Sequence, residues 1–137
     1  MARDTLIFAL EGEVALEDFA TAIGKLNSLL GQLAKEVTKD AEVTWIIDEL
    51  YAGSAVASFR GVNDDASAVE KLVDAYEEIG DSLQAGREVP FSATVQRHAR
   101  ELVGVLNGRV TSIRFETPRQ KLLKARPFSA RSLSVLK

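Results

Sequence analysis

Residues Thr5-Leu6-Ile7-Phe8-Ala9-Leu10-Glu11 are apolar at every interior position, odd and even alike. Successive side chains of a strand point to opposite faces, so a strand with this pattern is apolar on both and belongs in the middle of a sheet. A chain that opens on such a strand must supply neighbours for both of its edges and cover for at least one of its faces.

Cover follows at once. Leu16, Phe19, Ile23, Leu26, Leu30, Leu33 and Val37 recur at alternating steps of three and four, which places them on one stripe of an amphipathic helix over 16–37. Glu17 and Asp18 stand in its first turn and Lys35 and Lys39 near its last, each where the helix dipole favours that sign. Ala15 occupies the position where serine would cap the helix, so its start is weakly capped. Gly24 and Gly31 lie on this helix seven residues apart; they are either tolerated on the solvent side or mark a close packing contact.

Neighbours come next. Val43, Trp45 and Ile47 alternate with Thr44, Ile46 and Asp48, and after Ala52-Gly53 the segment Ala55–Arg60 completes a hairpin. Val69, Leu72, Val73, Tyr76, Ile79 and Leu83 form one face of a helix over 66–84, with Asp64 or Asp65 as N-cap and Gly86 as terminator. Ser92, after Pro90, starts a third helix that turns Val95, Ala99, Leu102, Val103 and Leu106 inward and ends at Asn107-Gly108. A last strand spans Val110–Glu116. The order β-α-β-β-α-α-β predicts an α+β fold, the ferredoxin-like (split βαβ) sandwich, with a mostly antiparallel four-stranded sheet carrying its helices on one face. The opposite face then needs cover from the C-terminal segment, a second copy or a further domain.

At 137 residues and 46% hydrophobic composition the chain is long enough for one domain with a real core. Its net charge of −3 conceals a division. Residues 1–116 carry 11 basic against 20 acidic side chains, a balance of −9, whereas 117–137 carry six bases and no acid. Pro118 marks the boundary, so the reading is a domain over 1–116 and a basic C-terminal arm over 117–137. The arm's cations Arg119, Lys121, Lys124, Arg126 and Arg131 are interleaved with Leu122, Leu123, Phe128, Leu133, Val135 and Leu136. So many large apolar side chains argue for an arm that docks, in cis or on a neighbouring subunit.

Composition excludes several chemistries. There is no cysteine and one histidine, so disulfide scaffolds, thiol nucleophiles and multi-histidine metal sites fall away. No apolar run approaches the roughly 20 residues of a membrane span, and the N-terminus has no signal-peptide core, so the expected location is cytoplasmic, without a membrane partner. Asp48, Glu49, Asp64 and Asp65 match no calcium or magnesium loop, Ser54, Ser58 and Ser92 lack the context of an exposed nucleophile, and no glycine-rich phosphate loop follows a strand. No metal, cofactor or catalytic residue is therefore expected. RNA-recognition sheets stack bases on aromatics of their central strands, which Leu6–Leu10 and Ala55–Phe59 do not supply, and an acidic body repels phosphate; nucleic acid is disfavoured.

The stretch Thr5–Glu116 contains Leu-Ile-Phe-Ala-Leu-Glu-Gly-Glu-Val (6–14), Leu-Glu-Asp-Phe (16–19), Ile-Asp-Glu-Leu-Tyr-Ala-Gly-Ser-Ala (47–55) and, running to the next residue, Leu-Asn-Gly-Arg-Val-Thr-Ser-Ile-Arg-Phe-Glu-Thr (106–117). It resembles a domain family of uncharacterised bacterial proteins. The resemblance implies an N-terminal unit followed by further β-rich sequence, and it implies no catalytic residues.

The leading expectation is thus a non-enzymatic interaction module that associates with itself, with another protein as the other partner considered. The competing readings are a domain or enzyme taking a small anionic ligand through Arg60, Arg97, His98 or Arg100, and a regulatory or defence-associated module with a protein partner.

Overall fold

β1 (Thr5–Glu11) takes the central position its two-sided apolar pattern demands, between β3 (Ala55–Val62) and β4 (Ser112–Glu116). β2 (Thr44–Leu50) flanks β3, giving a four-stranded sheet of order β2-β3-β1-β4 in which all neighbours are antiparallel. The helices are α1 (Leu16–Val37), α2 (Ala66–Gln84) and α3 (Ala93–Leu106). This is the α+β fold and the chain order expected from the sequence. The architecture is that of a computed structural model, which describes residues 4–39, 42–50 and 55–118. The basic arm beyond Pro118, with Arg119, Lys121, Lys124, Arg126, Phe128 and Arg131, lies outside the described residues.

Register explains which side of the sheet is covered. Leu6 stands opposite Phe59, Phe8 between Ala57 and Phe115, and Leu10 between Ala55 and Ile113, so these side chains share one face. They belong to the core together with Leu26, Leu30 and Leu33 of α1, Leu72, Tyr76 and Ile79 of α2, and Val95, Ala99 and Leu102 of α3. The Phe115 ring meets Phe8 in a tilted pair and Tyr76 edge-on, at centroid distances of 5.6 and 5.3 Å. At the heart of this cluster the buried Tyr76 hydroxyl donates to the Ile7 carbonyl at 2.6 Å, a direct polar link from α2 to the central strand.

Local chemistry sets the helix ends. The Asp65 side chain accepts from the Ser67 amide and caps α2, while Ser92 accepts from the Val95 amide and caps α3. The Ser92 hydroxyl also donates to Glu36 at 2.6 Å, tying the end of α1 to the start of α3. Hydrogen bonds from Gln32 and then Ser92 hold the Glu36 carboxyl below its ordinary range. Gln96 closes the α2–α3 connection by donating to Glu88 and to the Val89 and Phe91 carbonyls. At Ala15 the α1 N-cap has no side-chain hydrogen bond, in keeping with the residue type.

Three details depart from the sequence expectations. Leu16 leads the apolar stripe of α1 yet is 82% exposed, because the first residue of a helix extends past the layer that buries the later turns. The buried face of α1 is instead broadened by Ala22, Leu29 and Ala34, since α1 packs against both other helices. β4 begins at Ser112 and not Val110: the Thr111 amide bonds the Glu11 carbonyl beside Gly12, whose φ of +107° favours glycine.

Gly24 and Gly31 are open to solvent at the side-chain position: a Cβ added to either would meet nothing within 4 Å. Alanine at either position should therefore stabilise the fold by roughly 0.5–1 kcal/mol through helix propensity alone. Chemical denaturation of Gly24→Ala and Gly31→Ala reads this directly, and a loss of stability would show that a close contact exists there.

Candidate interaction surfaces

The face of the sheet away from the helices carries Thr5, Ile7, Ala9 and Glu11 of β1, Val56, Ser58, Arg60 and Val62 of β3, and Arg114 and Glu116 of β4. Its centre is buried: Ala9 is 2% exposed and Ile7 7%. Arg114 stands opposite Ala9 and bridges Glu11 at 3.2 Å and Glu116 at 3.7 Å, so a charged frame borders the apolar centre. The exposed Arg114–Glu11 pair contributes at most about 1 kcal/mol and is screened by salt, whereas Glu116 is buried.

Apolar exposure collects at the β2 margin. Ile46 and Val62 are 40% and 41% exposed on this face, and Ile47 of the same edge strand is 55% exposed on the other. Among the described residues β2 is the last strand on its side of the sheet, and it pairs with β3 continuously from Thr44 to Ile47 before an irregularity between Ile47 and Glu49. The segment Thr44–Ile47 thus combines an outer main-chain edge with β-favouring apolar side chains. Sequence alternation located these residues in a hairpin but could not distinguish the hairpin's inner strand from its edge, because that depends on where β1 inserts.

The residues considered for an anionic ligand are not gathered into one site. Arg60 is on the sheet face away from the helices, 3.9 Å from Asp48, whereas Arg97, His98 and Arg100 are on α3, among the helices on the opposite side. Arg97 pairs with Glu101 at 3.7 Å, and Glu101 also meets Lys25 of α1 at the same distance. Arg109 reaches Asp18 at 3.0 Å and joins the end of α3 to the start of α1. Among the described residues, no group of three or more histidine, aspartate or glutamate side chains is placed to hold a metal ion, and no helix is long and apolar enough to cross a membrane.

A groove of about 640 Å³ lies along β4, between its outer edge and the C-terminal halves of α2 and α3, with Leu83, Val103, Leu106, Val110 and Ile113 in its lining. A second hollow of about 390 Å³ lies between α1 and β2, against Leu30, Gly31 and Trp45. Arg60, Arg97, His98 and Arg100 line neither. At the inner end of the β4 groove α2 comes unusually close to the strand: a Cβ on Gly80 would lie 2.4 Å from the Phe115 carbonyl oxygen. Sequence reasoning passed over Gly80, which sits in α2 with no turn or cap to explain it; an unexplained glycine on the inward side of a helix was the available signal.

Comparison with known proteins adds no relative to this geometry: no protein-family model matches the chain, and no curated protein or solved structure does either.

Proposed function

We propose that the chain is a non-enzymatic interaction module that self-associates through its β2 edge, extending the sheet into a second copy. The observation that carries this reading is the coincidence of an outer strand edge with exposed Ile46, Ile47 and Val62. A second copy suits this edge because an antiparallel strand is complementary to itself under a two-fold axis. With the axis at Ile46, Trp45 of one copy stands opposite Ile47 of the other, Ile46 meets itself and Thr44 meets Asp48, so apolar residues pair and no two carboxylates oppose. The face centred on Ile7 and Ala9 would then continue across the junction.

Sedimentation of the full chain over a range of concentrations tests the reading. A reversible dimer is expected, and Ile46→Lys should shift it to monomer; at concentrations low enough for the wild type to be monomeric too, the two unfolding midpoints should nearly coincide, because the side chain is already partly exposed. A wild-type chain that stays monomeric at every concentration sinks the proposal.

A further inference from the structure

We infer that the groove beside β4 is the docking site of the chain's own C-terminal arm, residues 119–137, bound in cis.

The shape of the groove admits one kind of occupant. β4 is the outer strand on its side, but α2 closes on it at Gly80, where the Phe115 carbonyl leaves no room for even one added carbon. Any chain that joins this edge must fit beside that helix. A single segment of chain can, because the groove widens over Leu83, Val103 and Ile113 into about 640 Å³ of largely apolar concavity. This is the geometry of peptide addition between a strand and a helix, where main-chain groups and alternate side chains share the contact.

The chain also leaves the fold at the right place. β4 ends at Glu116, and Thr117, 1% exposed, donates from its hydroxyl to Glu77 of α2 at 3.0 Å. The arm is therefore anchored to α2 at the groove's own end, with 19 residues still to come. Pro118 is itself helical, and from there five to ten extended residues, at about 3.3 Å each, are enough to run back along Ser112–Glu116, fewer than the arm holds.

Composition matches as well, and charge does beside the groove. The charged side chains of the lining are Arg114 and Glu116; outside it, α2 carries Glu70, Asp74, Glu77, Glu78 and Asp81 against the single base Lys71. The arm brings six bases and no acid, with Leu122, Leu123 and Phe128 among them for the apolar floor. A tethered segment also has an effective concentration in the millimolar range, which a free peptide partner rarely matches.

The absence of cysteine gives a clean test. One cysteine introduced at Ser129 of the full chain and coupled to a nitroxide should broaden the amide signals of Gln84, Val103, Asn107 and Ile113, and spare those of Ile46 and Val62 on the far edge. Raising the salt should reduce the broadening, as screening weakens the contribution of α2. Broadening that falls on the sheet face away from the helices, or nowhere in the fold, overturns the inference. Mixing isotope-labelled chains without nitroxide with unlabelled, spin-labelled ones separates the remaining case: broadening in that mixture means the arm binds a second copy, which also overturns docking in cis. Because sedimentation reads the β2 edge and the nitroxide reads the β4 groove, the two proposals fail separately.

Discussion

Gly80→Ala should be the most damaging glycine-to-alanine substitution among the described residues. The added carbon would meet the Phe115 carbonyl oxygen at 2.4 Å and the Phe115 Cβ at 2.8 Å. Neither neighbour is a flexible side-chain end that can swing aside. The carbonyl is part of β4, and Phe115 is held between Phe8 and Tyr76 in the core. Relief therefore requires α2 to lift from the sheet, loosening the packing of Leu72, Tyr76 and Ile79 together. Alanine gains about 1 kcal/mol of helix propensity over glycine. Overpacking of a rigid core costs about 1–3 kcal/mol and sometimes more, and with both neighbours fixed the upper part of that range applies, so a net loss of about 1–2 kcal/mol is expected. Gly31→Ala and Gly104→Ala, in helices with open space around the same position, are the matched controls and should stabilise or be neutral. Urea unfolding of the three variants gives the comparison; Gly80→Ala as stable as the controls would mean that α2 and β4 are farther apart than this contact requires.

Tyr76 should make stability depend on alkaline pH in a way its phenylalanine variant does not. Burial first, and the nearby Glu116 carboxylate second, push the Tyr76 hydroxyl well above its ordinary value of 10. In the unfolded chain the phenol ionises near pH 10. The folded state thus holds a proton that the unfolded state has released. Its contribution is complete below about pH 10 and is lost as pH rises from there toward the folded value. Tyr76→Phe removes this component together with the 2.6 Å hydrogen bond to the Ile7 carbonyl. At neutral pH the variant should lose roughly 1–2 kcal/mol, the cost of depriving a buried acceptor of its donor. Between about pH 9 and 11 the gap between the two proteins should narrow, because the wild type declines more steeply. Denaturant midpoints across that range test both parts, and parallel curves for the two chains would contradict the burial of the hydroxyl.

Much of this architecture is legible in short stretches of sequence. The limits of α1 and α2 and the start of α3 follow from stripe periodicity and from Asp65 and Ser92, because caps and amphipathic faces are encoded within a turn or two of the chain. The central place of β1 follows from apolar residues on both its faces. Local pattern misleads where a residue's surroundings come from elsewhere. Leu16 fits its stripe but projects beyond the layer, and Val110 and Thr111 are apolar or β-branched enough for a strand, yet the junction with Gly12 delays β4.

The candidate surfaces were less legible for the same reason. Arg60 and the α3 bases looked combinable in one dimension, and the sheet separates them in three. Nothing near Gly80 in the chain explains it; the reason is Phe115, far along the sequence on β4.

By itself, then, the sequence determined the elements, their order, the central strand and the split between an acidic body and a basic arm, since periodicity, capping and charge are properties of neighbouring residues. Only the tertiary structure decided which strand edges face outward, that one of them is open at Ile46 and the other guarded by α2 at Gly80, and that a groove lies where the arm begins. Those features depend on contacts between residues far apart in the chain, whose distances no local pattern carries.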